Sequence, residues 1–310
     1  MKVSVNTHQL SQIFHYIKKE YQVLGTTRIN GRLAFTEVHS LSQVPLPLPK
    51  TIIPFKSLLY PNKSSLKGER QKIAFWGITN CDALALKLFL QEFQETDLLP
   101  RDILAVSYAC QPDENCFCTA FNKGKIENSD LFVEKEGDRF GIFPTSAKGK
   151  EILSLEHLKY TSREIPGEII LKNVSKLNHK KVNQAVSDKA QHEEFWQNIS
   201  DNCFGCGACS AVCPLCFCTK KNFSNEIDGS CKECHEWDSC FSKSFSEIQN
   251  HFDLRPTNKD RLYNWYHHKF VRAYDKSGHF LCTGCGRCIT ACPAHLNQHK
   301  IIESIEKNKG

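Results

Sequence analysis

The first hydrophobic pattern in the chain is helical. Leu10, Ile13, Phe14 and Ile17 are spaced three or four residues apart, which places their side chains on one face of a helix. The positions between them are mostly polar. We therefore predict an amphipathic helix over residues 1–25, with its apolar face packed on a domain.

Two short apolar runs then flank a segment with helical spacing. Residues 73–78 and 102–108 are typical of buried strands, and residues 82–95 have the period of a helix, with Asp82 as its N-cap. A strand, a helix and a strand of these lengths predict a βαβ unit with parallel strands. Functional residues are expected beyond the carboxyl ends of such strands.

A hairpin follows the βαβ unit. Residues 131–135 and 139–143 are apolar-rich runs on either side of a turn that starts at Glu136. We expect this hairpin at the edge of the sheet. Residues 160–197 are more polar and helical in character, which indicates a linker into a second domain.

The last third of the chain repeats one cysteine pattern. CxxCxxCxxxCP runs from Cys203 through Cys213 to Pro214, and again from Cys282 through Cys292 to Pro293. In two-cluster bacterial ferredoxins, three such thiolates hold one cluster and the fourth reaches the other cluster. The spacing thus assigns one 4Fe-4S cluster to Cys203, Cys206, Cys209 and Cys292, and a second to Cys282, Cys285, Cys288 and Cys213.

Glycines support this interpretation, since a loop folded around a cluster needs residues without Cβ. They are Gly205, Gly207, Gly284 and Gly286. Zinc is the less favoured alternative because its sites have no use for a CxxxCP tail. Disulfides are also disfavoured, because the chain opens without an apolar signal segment and we expect a reducing, cytoplasmic environment. No strand-turn-helix frame surrounds Gly205 and Gly207, so we expect no nucleotide loop there.

Four cysteines of the N-terminal half form a candidate third cluster. Two of them come just after the predicted parallel strands, on one rim of the sheet, and the other two follow in a polar loop. They are Cys81, Cys110, Cys116 and Cys118. Buried free thiols are the alternative for the two that follow strands.

The insertion between the two motifs, residues 219–281, suggests a further metal site. Its candidate ligands are Cys216, Cys218 and Cys240, completed by Cys231 or Cys234. Iron-sulfur is the favoured filling and zinc the alternative. Residues 260–274 predict a helix whose aromatic side chains, Tyr263, Tyr266 and Phe270, pack against the clusters. We do not expect His267 and His268 to be ligands.

Composition limits the remaining functions. The chain has 310 residues and seventeen cysteines, of which eight belong to the repeat. Its formal charge of +6 is spread along the sequence without a compact basic stripe, so we expect no nucleic-acid partner. No apolar run approaches the length of about 18 residues that a membrane span needs, so we expect no direct membrane insertion.

These observations predict an α+β protein of two domains. Residues 1–195 form an N-terminal α/β domain that contains the βαβ unit and the candidate third cluster site. Residues 196–310 form a two-cluster ferredoxin-like domain with the long insertion. No catalytic base, substrate pocket or nucleotide loop is visible in the sequence, so we expect electron transfer without turnover by this chain alone.

Several segments of the chain form a recognisable set, namely residues 76–86, 107–118, 213–218, 237–240, 252–256 and 282–288. Together these segments resemble a known family, which contains the beta subunit of cytoplasmic sulfhydrogenases and the A subunit of anaerobic sulfite reductase. The paired CxC elements and Trp237-Asp-Ser-Cys240 are the most specific of them. The family's cysteines match Cys81, Cys110, Cys116, Cys118, Cys216, Cys218 and Cys240. Cys231, Cys234 and the stretch 246–250 depart from the family's pattern.

The resemblance implies an iron-sulfur subunit of a multisubunit oxidoreductase. Its partners would be a flavin subunit that oxidises NAD(P)H and a catalytic subunit, either a nickel-iron hydrogenase or a sirohaem sulfite reductase. Two alternatives stay open. The chain is then either an enzyme that reduces sulfur or polysulfide at its cysteine-rich insertion, or a metal-stapled assembly module without redox function.

Overall fold

Two compact units make up the part of the chain that the computed structural model describes, namely residues 2–59, 72–92, 102–121, 128–154, 160–161, 176–189, 192–225 and 231–307. Among these residues, unit 1 takes those up to 114 and those from 128 to 161. Unit 2 takes residues 115–121 and those from 176 onwards. A domain boundary after residue 195 stays a prediction.

Unit 1 is built on a mixed sheet, which has eight strands among the described residues. They are β1 Lys2–Asn6, β2 Gln22–Ile29, β3 Arg32–Glu37, β4 Ile73–Ile78, β5 Ile103–Tyr108, β6 Leu131–Glu136, β7 Arg139–Pro144 and β8 Tyr160–Thr161. Their order across the sheet is β3-β2-β4-β5-β6-β7-β1-β8. The helices of this unit are α1 Thr7–Glu20, α2 Lys56–Leu59, α3 Asn80–Glu92 and α4 Ala147–Leu153.

The predicted βαβ unit is confirmed. β4 and β5 pair in parallel, with Ile73 opposite Ile103, and α3 connects them. The predicted cap of α3 was wrong, however, because the helix begins before Asp82. Thr79 Oγ1 accepts a hydrogen bond from the Asp82 N–H at 3.2 Å and donates one to its carboxylate at 2.7 Å. Thr79 therefore caps the helix, and Asp82 lies in its first turn.

The N-terminal helix is shorter than predicted. β1 occupies residues 2–6 and pairs antiparallel with β7, and α1 begins only at Thr7. Asn6 and Gln9 form a capping box, in which each side chain accepts the other residue's N–H at 2.9 Å. The four apolar positions that predicted the helix are all buried against the sheet, as expected.

The hairpin of β6 and β7 is also confirmed, but its predicted place at the sheet edge was wrong. β6 pairs in parallel with β5, and β7 pairs with β1. Both strands are therefore interior. The β1 residues that cover β7 come from the opposite end of unit 1 in sequence, and the local pattern at 131–143 carries no sign of this pairing.

Unit 2 is mainly helical. Its helices are α5 His179–Ser187, α6 Glu193–Asp201, α7 Ala208–Ala211, α8 Lys243–Ser246, α9 Asn258–His267, α10 Ala273–Ser277, α11 Arg287–Thr290 and α12 Gln298–Lys307. Its described residues also form two antiparallel strand pairs, β9 Thr219–Asn225 with β10 Cys231–Trp237 and β11 Glu247–Ile248 with β12 Phe252–Asp253.

The core of unit 2 forms around the helix predicted at 260–274. It begins at α9, where Thr257 Oγ1 caps the Asp260 N–H at 3.1 Å, and continues through a π-helical stretch, His268–Arg272, into α10. Tyr266 and Phe270 are fully buried. Trp196 from α6 packs on Tyr266 at a ring distance of 5.1 Å. This continuous helical segment forms one wall of the site below.

Candidate metal centre

The first cysteine motif folds into a tight turn before α7. Gly205 and Gly207 have φ values of 63° and 74°, a left-handed conformation that costs other residues about 1–2 kcal/mol. A Cβ on Gly207 would lie 2.9 Å from Ser239 Oγ. The Gly205 N–H donates to Cys203 Sγ at 3.4 Å. The glycines thus let a backbone N–H approach a sulfur, as the sequence predicts for a cluster loop.

A cavity lies against this motif. Apolar side chains form most of its wall, among them Phe241 and Leu262, and none of the described residues that line it is charged. The cysteines that line it are Cys203, Cys206, Cys209 and Cys292. These are the four thiols that the spacing assigns to the first cluster.

The second motif shapes a second cavity before α11. Gly284 and Gly286 have φ values of 67° and 73°. A Cβ on Gly286 would lie 2.1 Å from Asn115 O, so any residue with a side chain would clash at this position. The cysteines that line the cavity are Cys213, Cys282, Cys285 and Cys288. They are the set that the spacing assigns to the second cluster.

The last cysteine of each motif therefore lines the cavity formed by the other motif. Cys213, from the first motif, lines the second cavity, and Cys292, from the second motif, lines the first. Trp265 from α9 lines both cavities, which makes them neighbours. The structure brings the eight thiols together as the repeat predicts, and their role as ligands stays a prediction.

The second cavity also contains buried donors suited to a cluster. Trp265 Nε1 and Thr283 Oγ1 are buried and have no hydrogen-bond partner among the described residues. An unpaired buried donor costs about 1–3 kcal/mol. The sulfides and thiolates of a 4Fe-4S cluster are acceptors, so a cluster would satisfy such donors. The donor set and the four thiols fit this group.

A buried cation stands beside the second cavity. Lys269 is 2% exposed, and its Nζ lies 3.2 Å from Cys213 Sγ and 3.1 Å from Leu281 O. Burial alone would lower the pKa of Lys269, but the negative charge of the neighbouring thiolates outweighs burial and holds this pKa well above its ordinary value. The ammonium is therefore retained inside the protein.

Burial makes the free thiolates costly. It raises the pKa of Cys209 to about 12, with a further contribution from Cys203, and raises that of Cys282 to about 12 against the opposing effect of Lys269. Iron binds cysteine as the thiolate. Loading these sites with clusters therefore releases protons from buried cysteines.

The segment 115–121 packs on the second motif within unit 2. The Phe117 N–H donates to Gly284 O at 2.8 Å, and Cys116 Sγ lies 3.9 Å from Cys285 O. Cys116 and Cys118, two ligands of the candidate third cluster, thus belong to the cysteine-rich unit. The sequence placed them at the rim of the sheet and carried no sign of this packing.

The other two cysteines of that candidate belong to unit 1. Cys81 lies in the first turn of α3, with its Sγ 3.0 Å from Thr79 Oγ1. Cys110 follows β5, where it forms a parallel bridge with Leu48. Both lie just beyond the carboxyl ends of neighbouring parallel strands, as expected. The four-cysteine site itself stays a prediction.

Three thiols of the insertion site lie together. Cys218 forms a hydrogen bond with Cys240, and this bond, burial and the nearby Cys216 raise the pKa of Cys240 far above its ordinary value. Cys231 and Cys234 lie in β10, in register with Asn225 and Asn222, and their side chains are outside the described residues. In the described part of the chain, no group of three His, Cys, Asp or Glu is arranged around a single metal ion.

Comparison with known proteins identifies the domain that carries both cysteine motifs. Residues 202–296 match the family model of the 4Fe-4S dicluster domain. The chain has a C-terminal 4Fe-4S dicluster domain. The predicted cofactors are thereby confirmed as at least two 4Fe-4S clusters, and the α+β fold class holds for the chain. The dicluster domain makes the chain an iron-sulfur electron-transfer protein.

The chain is similar over nearly its whole length to a curated protein. It is 24% identical over 336 residues to the Sulfhydrogenase 2 subunit beta of Pyrococcus furiosus (strain ATCC 43587 / DSM 3638 / JCM 8422 / Vc1), covering 98% of each chain. The resemblance to an iron-sulfur beta subunit is thereby confirmed. No solved structure matches the chain. None of the helices that the structure describes has the length and apolar character of a membrane span.

Two residues beside the dicluster cavities were missed from the sequence. Trp265 and Lys269 are four residues apart, so they share a face of the helical segment, whereas the prediction names only Tyr263, Tyr266 and Phe270 as packing against the clusters. A lysine within an otherwise aromatic and apolar helical face was the available signal. Its burial became visible only in the structure.

Proposed function

We propose that this chain is the iron-sulfur subunit of a multisubunit cytoplasmic oxidoreductase. It would connect a flavin subunit that oxidises NAD(P)H with a nickel-iron hydrogenase or sulfite reductase subunit. The observation that carries the proposal is the pair of adjoining four-cysteine cavities that share Trp265. A bound 4Fe-4S cluster supplies a one-electron couple whose potential depends on hydrogen bonds to sulfur, net charge and solvent exposure.

Similarity favours the hydrogenase among the two catalytic partners. The relative that aligns over 98% of this chain is named as a sulfhydrogenase subunit. The similarity extends through unit 1, so it is not limited to the dicluster domain. We therefore expect the chain to assemble with a hydrogenase subunit in preference to a sulfite reductase subunit.

Exposure suggests where a partner contacts the dicluster domain. Cys206 is exposed and the neighbouring Phe204 is 71% exposed, both at the first cavity. In the second cavity, Cys285 and Cys288 are only 8% and 9% exposed. Electron transfer between this chain and a partner is faster over shorter distances, so the first cavity is the better place for electron exchange. Phe204 would be covered by the partner.

The proposal is tested on the full chain purified without oxygen. Iron and sulfide analysis should give at least two clusters, and electron paramagnetic resonance after dithionite reduction should show reduced 4Fe-4S signals. The Phe204→Glu variant should keep the iron and the signals but bind co-expressed hydrogenase and flavin subunits less well. A sample that shows no reduced-cluster signal after treatment with dithionite would contradict the proposed electron-transfer function. Production of sulfide from polysulfide by the isolated chain would favour the enzyme alternative.

A further inference from the structure

The two dicluster cavities differ in charge. No charged side chain lines the first cavity among the described residues, whereas Lys269 lines the second. The motifs differ in the same sense, because the first has Ala208 where the second has Arg287, which is fully buried. The environment of the second cavity is therefore the more positive of the two.

Lys269 is held in one position by several contacts. Its Nζ donates to Cys213 Sγ and to Leu281 O, and it lies 5.1 Å from the centre of the Trp265 ring. Its backbone carbonyl in turn accepts the Leu281 N–H at 3.0 Å. Leu281 immediately precedes Cys282. The ammonium is thus held between the segments of Cys213 and Leu281, with a hydrogen bond to the cysteine sulfur.

The charge of this ammonium is not cancelled by a carboxylate. None of the ion pairs among the described residues includes Lys269, and no Asp or Glu of the described chain lines the second cavity. In a buried position of low effective dielectric, a unit charge a few ångströms from a redox centre acts strongly on it. A purely structural lysine would need the hydrogen bond to Leu281 but not the one to Cys213.

We infer that Lys269 raises the reduction potential of the cluster held by Cys213, Cys282, Cys285 and Cys288 above that of its neighbour. One-electron reduction adds one negative charge, and a fixed cation stabilises that reduced state more than the oxidised one. The electron comes from the external donor, and no bond forms or breaks. This inference rests on the proposed function. The second cluster would then be reduced first. Lys269 acts on electron transfer through the potential of this cluster and does not itself carry the electron.

The test is a redox titration of the loaded full chain, followed by electron paramagnetic resonance. Lys269→Met removes the charge, and Lys269→Gln removes it but keeps a donor for Leu281 O. Lys269→Arg keeps the charge. Lys276→Met, which removes an exposed lysine of α10, is the matched control. Cys206→Ser, in the first cavity, identifies which midpoint potential belongs to which cluster.

We expect both neutral variants to lower the midpoint potential of the second cluster by more than that of the first, because the charge of Lys269 also acts on Cys209 of the first set. Lys269→Arg and Lys276→Met should stay close to the unmodified chain. Unchanged potentials in a neutral variant with full iron and sulfide would overturn the inference and leave the proposed function intact. If Lys269→Arg lowered the potential as much as the neutral variants do, the charge would not be the cause, and the inference would be overturned. Loss of the second cluster from both neutral variants would also overturn it, because Lys269 would then be needed only to hold the structure. A wild-type chain without reduced-cluster signals would instead reject the proposed function, and the inference with it.

Discussion

The backbone N–H of Phe117 donates a hydrogen bond of 2.8 Å to the carbonyl oxygen of Gly284, inside the second cysteine motif. The segment 115–121 lies so close to this motif that a Cβ on Gly284 would be 2.5 Å from Phe117 O and 2.6 Å from Cys118 Cα. Gly284 therefore serves two purposes at once. It forms the left-handed turn of the motif and leaves room for a segment distant in sequence.

Gly284→Ala should lower both the stability and the iron content of the chain. Its φ of 67° costs an alanine about 1–2 kcal/mol, and the backbone of residues 117 and 118 cannot move aside without breaking the hydrogen bond. Gly278→Ala is the matched control, because Gly278 has a φ of 69° but nothing lies within 4 Å of its Cβ position. Urea unfolding and iron analysis measure the two effects.

The control should show the conformational cost alone, with normal iron. If the two alanine variants lost equal stability and both kept their iron, the packing of the 115–121 segment on the second motif would not be important for holding the second cluster.

Thr283→Val should lower the potential of the second cluster. Thr283 Oγ1 is buried at the second cavity without a partner among the described residues, so it is free to donate to a cluster sulfur. Removing a hydrogen bond to sulfur destabilises the reduced cluster. Thr283→Ser keeps the hydroxyl and is the conservative control. A redox titration in which Val and Ser give the same midpoint potential would show that the hydroxyl does not reach the cluster.

The sequence predicted the parts of this molecule whose geometry is local. The cysteine spacing predicted which four thiols line each cavity. Three thiols at every third position can surround one compact cluster, and the proline after the fourth cysteine directs that thiol to the other cluster. The apolar runs before and after α3 predicted parallel strands because the lengths of a strand, a helix and a strand can be read from consecutive residues. Each of these inferences needed only neighbouring residues.

Apart from the cap of α3, the missed features depend on residues far apart in the chain. β1 is a strand because it pairs with β7, more than a hundred residues later, and this pairing also moves the β6–β7 hairpin away from the edge. The burial of Lys269 depends on Cys213 and Leu281, which lie on either side of it in sequence. Hydrophobic periodicity contains no information about such partners.

His268 should make the stability of the chain depend on pH near neutrality. Burial, with the nearby cations Lys269 and Arg272, lowers the pKa of His268 to about 4, whereas an unfolded histidine titrates at about 6.5. Between these values the unfolded chain binds the proton and the folded chain does not. The free energy of unfolding contributed by this residue should therefore fall by about 1 kcal/mol from pH 7 to pH 5.5.

The measurement is urea unfolding of the loaded chain under anaerobic conditions at several pH values. The His268→Gln variant cannot bind the proton, so its stability should change less over this range. Parallel pH profiles of the two proteins would mean that His268 titrates alike in both states and is not desolvated as its burial indicates.

Cys240 should be essential to a metal site separate from the dicluster cavities. Its thiol is buried and hydrogen-bonded to Cys218, with Cys216 nearby, and this grouping of three thiols suits a thiolate-bound cluster. Cys240→Ala should therefore remove one cluster, about four iron atoms per chain, while the potentials of the dicluster pair persist.

Cys218→Ala should remove the same iron. Of Cys231→Ala and Cys234→Ala, the variant that also loses it identifies the fourth ligand. Ser242→Ala, a nearby change that removes no thiol, is the control. Full iron in the Cys240→Ala chain would leave the three thiols as a packed, metal-free group in the core of unit 2.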